Sequence, residues 1–316
     1  MRKTALACTF FLAMGAVACG GSDDPGDSGP GGGGNGGPGA TSGNGAGATG
    51  GPGSGGGSSD STGAGGTPGN WQVLIQADWQ LPSGGENTSD THIIVLDQDM
   101  FVGAIRPIAP QGTHHTLLGI NGVGASDNVF ASGVGTNELV FPPGVGLRLP
   151  AGETIVLQLH IFNPTADVLT GTSGIEVIPI AAADVQHEAE IFLPGPLGIS
   201  IPPNSDKTIT GTCPIGSPQT IFALFPHMHQ LGKHLKTTLT IDGQAQVLHD
   251  EDYQFAHQPV ISFEPIQLSP GDSVTTACTY KNTTSSNVGW GESSNSEMCF
   301  SILYRYPKSG GDFCGG

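Results

Sequence analysis

The strongest constraint on the fold of this chain is a rhythm of short β-forming runs cut by Gly, Pro, Asn and Asp, with no segment that sustains a helical period. The runs include "WQVLIQADW", "THIIVL", "HHTLLGI", "TIVLQLHIFN", "GIEVIPI", "QTIFALF", "LKTTLTI" and "SVTTACTY". Several alternate apolar and polar residues, the signature of strands with one buried face. An all-β chain follows, built as two tandem antiparallel β-sandwich, jelly-roll-like domains. Two stretches, "PPGVGLRLPAGETIVLQLH" and "FEPIQLSPGDSVTTACTY", share one plan: a turn with Pro, Gly and an acid, then a strand. That repeat suggests two units of similar build, residues 71–187 and 188–316, with the boundary near "AADVQHEAE".

The segment before Trp71 cannot belong to such a core. Residues 1–18 read as a secretory signal, with basic Arg2 and Lys3, an apolar run too short to span a bilayer, and small residues before Cys19. The "AVAC" ending resembles a bacterial lipoprotein processing site, which makes Cys19 the lipidation candidate and predicts an exported outer-membrane lipoprotein, periplasmic or at the cell surface. Residues 19–70 are dominated by Gly with Ser, Pro, Asn and Thr, and read as a disordered tether. A coil of that length reaches roughly 35–40 Å, enough to hold a domain clear of a membrane surface.

Formal charge is −17. Losing Arg2 and Lys3 with the signal makes the chain more acidic still, so nucleic acid is excluded as a partner on electrostatic grounds. No later segment has the apolar length of a membrane helix, which leaves the lipid anchor as the membrane contact. With Cys8 in the signal and Cys19 at its end, Cys213, Cys278, Cys299 and Cys314 remain, an even number in an exported protein. Two disulfides are the expectation, with a four-thiolate zinc site as the alternative, although no CxxC pair is present.

Chemistry concentrates in histidines. "FPHMHQLGKH" lies between β-forming runs, and in a strand residues i and i+2 share a face, so His227 and His229 aim at one point. "GTHHTLLG" holds adjacent His114 and His115; "VLQLHIFNP" holds His160 with Gln158 on its face; "NSEMCFSILYRYP" places Met298 before Cys299. Each alone is ordinary, since a lone strand histidine or methionine is usually core. Together they suggest a metal. HExxH of zinc hydrolases is absent, a cupin glutamate does not follow the HxH pair, and a type 1 copper site would need a cysteine better used in a disulfide. Two imidazoles completed by a thioether suit copper that cycles through Cu(I), because soft sulfur stabilises the reduced ion.

In this order the motifs resemble a known family, the copper type II, ascorbate-dependent monooxygenases, which include peptidylglycine α-hydroxylating monooxygenase and dopamine β-monooxygenase. The likeness runs over most of Asp90 to Tyr306 and is strongest from "EIFLPGP" through "EMCFSILYRYP". It implies two copper ions per chain in two sandwich domains across a solvent-filled cleft. His114, His115 and His160 would hold the electron-transfer copper; His227, His229 and Met298 would hold the copper that binds O2. Gln158 matches a glutamine facing the cleft. Ascorbate or an equivalent reductant would supply electrons, and a substrate C–H would become an alcohol. The same likeness selects Cys213–Cys314 and Cys278–Cys299 as disulfides. Adjacent histidines in a regular strand face opposite ways, so it also requires the His114–His115 pair to sit at a bulge or strand end. His92, His187, His234, His249 and His257 have no counterpart and read as structural or surface residues.

The chain departs from the family in two ways. No disulfide is possible between residues 71 and 212, and the interval from the histidine pair to His160 is compact. Peptide-amidating members place an arginine two residues before HxH to anchor a carboxylate, where this chain has Phe225; two and four residues after Met298 stand Phe300 and Ile302. The expected substrate is therefore small, neutral or cationic, with an apolar or aromatic body. A non-catalytic copper-binding or delivery lipoprotein of the same fold is the alternative, and an adhesion module with incidental histidines a third.

Overall fold

The computed structural model describes residues 70–124, 127–291, 293, 295–310 and 313–314. The signal, Cys19 and the tether lie outside the described residues. The described residues contain strands, turns and one 3-10 turn at Ala182–Asp184. Nine strands precede that turn: β1 Gln72–Leu81, β2 Glu86–Val95, β3 Met100–Ile108, β4 Thr113–Ile120, β5 Asn128–Ser132, β6 Leu139–Val140, β7 Val145–Leu149, β8 Thr154–Phe162 and β9 Leu169–Ile180. Eleven follow it: β10 His187–Pro194, β11 Ser200–Ile201, β12 Ser205–Pro214, β13 Gln219–Met228, β14 Gly232–Ile241, β15 Gln244–Asp252, β16 Ile261–Leu268, β17 Ser273–Asn282, β18 Val288–Gly289, β19 Cys299–Tyr306 and β20 Phe313–Cys314.

Each half supplies one four-stranded sheet, β2-β8-β4-β5 in the first and β12-β17-β14-β15 in the second. The partner sheet is shared. It runs β1-β9-β3-β7-β10-β19-β13-β16, and its halves are joined by a parallel pairing of β7 with β10, His187 opposite Val145. The β-forming runs named above fall on β1, β2, β4, β8, β9, β13, β14 and β17.

The shared sheet explains why "CFSILYRY" in β19 reads as almost unbroken burial. Leu303 packs with Phe192, Ile221, Leu224, Leu239 and Val274 on the side of β14 and β17. Phe300, Ile302 and Tyr304 point the other way, into the cluster that also holds Ile75, Leu118, Leu157 and Leu159 of the first half. A strand buried on both faces loses the apolar/polar alternation of a sandwich surface strand.

The repeated plan in the sequence ends on a repeated turn. β8 finishes at Asn163, whose side-chain amide donates to the carbonyls of Leu81, Pro82 and Asp167, while its Oδ1 accepts from the N–H and hydroxyl of Thr165. β17 finishes at Asn282, which donates to Ile201, Pro202 and Ser286 and accepts from the N–H and hydroxyl of Thr284. Both asparagines are buried, at 0% and 1% exposure, so each saturates its hydrogen-bonding capacity against backbone. The same buried staple therefore closes one corner of each half.

The structure forms two disulfides, Cys213–Cys314 and Cys278–Cys299, with sequence separations of 101 and 21 residues. These are the pairings the family resemblance implies, and thiolate zinc ligation is ruled out for those four cysteines. In the chain-entropy picture loops of this size stabilise by about 4.7 and about 3 kcal/mol respectively. Replacing Cys278 and Cys299 together by serine should lower unfolding free energy by about 3 kcal/mol in a denaturant titration. A loss under about 1 kcal/mol would show that this bridge does not constrain the unfolded chain.

Candidate functional site

The first histidine set is built by β-bulges. On β4, Thr113 opposes Ile161 and His115 opposes His160, so His114 is an extra residue with no partner on β8. A bulge breaks the alternation that would send adjacent side chains to opposite faces. His114 Nδ1 and His115 Nδ1 consequently lie 3.1 Å apart, and the ring centroids of His114 and His160 are 4.7 Å apart. Donor nitrogens of His114, His115 and His160 all fall within 4.8 Å of one another. Leu157, Leu159 and Ile161 send β8's other face into the core, which leaves Gln158 and His160 on the histidine side, with Leu117 opposite Gln158.

The second set follows from a bulge-free stretch of ladder, residues 223–228 of β13 paired with residues 299–304 of β19. β13 and β19 are antiparallel neighbours, with Phe225 opposite Ile302 and His227 opposite Phe300. His229 and Met298 lie just outside the ladder, next to Met228 and Cys299, its terminal pair. His227 Nδ1 is 3.0 Å from Gln258 Oε1, and His229 Nδ1 is 3.0 Å from the Ser296 carbonyl. Both acceptors fix the Nδ1–H tautomer and leave each Nε2 with its lone pair free. Glu297, fully buried, accepts the N–H groups of His229 at 3.0 Å and Leu231 at 2.7 Å, which ties the turn after HxH to the residue before Met298. Burial raises the Glu297 carboxyl to about 7, against the downward pull of those donors.

Both ladders face one cavity of about 500 Å³, whose walls include His115, Gln158, His160, His227, His229 and Met298. Phe225, Phe300 and Ile302 line it as well. His115 and His227, one from each set, have ring centroids 6.3 Å apart. Beside them a loop of the second half, residues 253–260, is held against residues 133–137 of the first. Gln258 N–H donates to Val134 O, the Thr136 hydroxyl to Gln258 O, and Val260 N–H to Asn137 Oδ1. That loop sets Phe255 4.7 Å from the His114 ring while Gln258 holds His227.

Glu86, Phe255, Gln258 and Glu297 escape the sequence reading. Glu297 sits inside "EMC" and its neighbour was singled out; the other three lie far from any histidine motif. His92, His187, His234, His249 and His257 are absent from the cavity wall: His92 pairs with Asp90, His234 with Asp250, and His187 stacks on Tyr306.

The residues fit a metal. Burial lowers the His227 imidazole to about 3, reinforced by His229 and opposed by Gln258. Burial likewise lowers His114 to about 4, with His160 acting in the same direction and Glu86 against it, and pushes His115 well down. All are neutral, ligand-competent rings at pH 7. His115 Nε2 is buried without a hydrogen-bond partner among the described residues, an arrangement that protein groups alone leave unsatisfied.

Comparison with known proteins agrees with this geometry. Residues 187–316 match the family model described as copper type II ascorbate-dependent monooxygenase, C-terminal domain. This match and the curated relatives support the copper type II ascorbate-dependent monooxygenase family for residues 187–316. Curated proteins similar to this chain include tyramine beta-hydroxylase of Caenorhabditis briggsae (29% identical, covering 51% of this chain and 30% of that protein) and dopamine beta-hydroxylase of Canis lupus familiaris (28%, covering 51% and 28%). DBH-like monooxygenase protein 1 of Gallus gallus is 27% identical over 49% of this chain and 28% of its own length. The chain thus matches less than a third of the length of these curated relatives.

The lowered histidines predict a pH response for the metal-free protein. In the unfolded chain these imidazoles titrate near 6.5. In the fold His227 stays neutral to about pH 3 and His114 to about pH 4, so the unfolded state takes up protons first as pH falls. Their contribution is complete above about pH 6.5 and is lost below it. Metal-free protein should lose on the order of 2–3 kcal/mol per ring by about pH 4.5 in urea unfolding, and His227→Ala should flatten the profile. Identical profiles for the two proteins between pH 7 and 4.5 would contradict the burial of His227.

Proposed function

We propose that this protein is a copper-dependent monooxygenase that hydroxylates a C–H bond of a small organic substrate, using O2 and an ascorbate-type reductant. The observation that supports it best is the single cavity onto which both histidine ladders, Met298 and an apolar wall open. In this reading His114, His115 and His160 hold one copper, and His227, His229 and Met298 the other. Bound copper supplies one-electron chemistry, and the net reaction takes substrate, O2, two electrons and two protons to alcohol and water.

The chain's own residues have separable tasks. Gln258 and the Ser296 carbonyl hold the Nδ1 protons of His227 and His229, so each presents Nε2. The Met298 thioether favours the reduced ion. Glu297 keeps the HxH turn and the methionine segment at fixed separation. Phe225, Phe300 and Ile302 take the apolar body of the substrate and exclude water, and Gln158 gives the opposite wall a polar group. Residues 71–187 and 188–316 act as two domains in this scheme, a division supported by the repeated asparagine staple. Two disulfides fit an exported protein; lipid attachment at Cys19 would hold it at the outer membrane.

Copper-loaded protein should consume O2 in an ascorbate-dependent manner with candidate substrates and release one alcohol per O2. Tight copper binding without product from any substrate class would replace the enzyme by a copper carrier.

A further inference from the structure

The geometry points to Glu86 as a positioning residue of the first metal set, fixing the ring of His160 from behind; this rests on the copper reading above. Glu86 opens β2, opposite Phe162, and Asn87 opposes Ile161; the next pair is Asp90 with Leu159. Thr88 and Ser89 on β2 are thus both set against the single residue His160 on β8. His160 consequently has a bulge on each side, this one on β2 and His114 on β4. Bulges bend a strand and re-aim its side chains. Here the outcome is a contact of 2.6 Å between Glu86 Oε1 and His160 Nε2.

That contact has a chemical consequence. Glu86 accepts the Nε2–H of His160, which leaves Nδ1 as the nitrogen free to bind a metal. Glu86 itself stands outside the three residues whose donor atoms converge. A carboxylate on the far nitrogen of a metal-bound imidazole locks its tautomer and orientation and makes it a better donor. His160 is well shielded, with 13% of its side chain exposed, while Glu86 is half exposed at 50%, so the carboxylate reaches His160 from the solvent side of the cavity. Among the described residues no carboxylate is hydrogen-bonded to His114 or His115, and Glu86 reaches His114 only through its charge, so the direct contact of the first set falls on His160. A more basic donor favours Cu(II) over Cu(I), which makes the first centre a better electron donor to the second.

The test uses the full, copper-loaded chain. In a His227→Ala background, where only the first set is intact, Glu86→Ala should weaken copper binding 10–100-fold, change the EPR spectrum of that copper and raise its reduction potential. Glu86→Gln retains an oxygen acceptor without the charge and should fall between the two. With His227 restored, the second copper should keep its affinity in both variants. Unchanged affinity, spectrum and potential of the first copper in Glu86→Ala would overturn the assignment. So would a variant whose copper is normal and whose only defect is a raised KM for cationic substrates, which would make Glu86 a substrate anchor. Failure of the parent chain to bind two copper ions is a separate result, and it would remove the copper reading itself.

Discussion

Met298→Ile should leave two copper ions per oxidised chain but weaken Cu(I) at the second centre by at least about tenfold, or about 1.4 kcal/mol, with a smaller effect on Cu(II). The substitution is close in volume and removes only the soft donor, so packing around it is disturbed little. His229 and Met298 adjoin Met228 and Cys299, the terminal pair of the β13–β19 ladder. Both imidazoles are pre-set by Gln258 and Ser296, so they would still hold Cu(II) without the sulfur. His227→Ala is the harsher change and should cut copper content from two ions per chain to one. Competition with Cu(I) chelators, alongside metal analysis of both variants, checks the pair. A single tight site indifferent to Met298 would sink the two-centre arrangement.

Substrates bearing a carboxylate next to the reacting carbon should be rejected relative to neutral or cationic analogues by about 10³-fold in kcat/KM, corresponding to about 4 kcal/mol. The cavity wall carries Phe225, Phe300 and Ile302 around the second histidine set, and its described lining contains neither arginine nor lysine. Phe225 is 2% exposed and stacks on the His227 ring at a centroid distance of 5.9 Å, so it cannot swing aside cheaply to admit a counter-ion. An uncompensated buried charge costs several kcal/mol. Glu86, the acid on the wall, opposes an anion further and would favour an ammonium group. Aromatic ethylamines compared with N-acylglycines of equal size make the measurement. Efficient hydroxylation of an acylglycine would show that the apolar trio does not govern the pocket.

How much of this could be read without coordinates varies residue by residue. The HxH pair was legible from period-2 geometry, which puts His227 and His229 on one face, and the β13–β19 ladder is regular from Ala223 to Met228. Phe225, Phe300 and Ile302 were legible only through the family resemblance, and their cross-strand pairing makes them neighbours of His227. The His114–His115 pair was legible as a motif only. Its convergence depends on a bulge, and nothing local in "GTHHTLLG" requires that the extra residue be inserted there. The 6.3 Å approach of His115 to His227 was not legible at all, nor were the hydrogen bonds between residues 258 and 260 and residues 134, 136 and 137, since both join segments far apart in the chain.

By itself the sequence determined the all-β class, the strand positions, the repeated plan and the residues that could ligate a metal. These rest on local chemistry: turn residues punctuate, alternation sorts side chains to faces, and imidazole or thioether donors carry their reactivity wherever they are placed. Tertiary structure alone decided that one sheet runs through both halves, that β19 is buried on two faces, and that Glu86, Phe255 and Gln258 meet histidines far away in the chain. Those contacts depend on strand register and on bulges. Shifting a strand by one residue turns every side chain to the other face, and which register wins is settled by the summed burial of a whole sheet, not by any residue near the site.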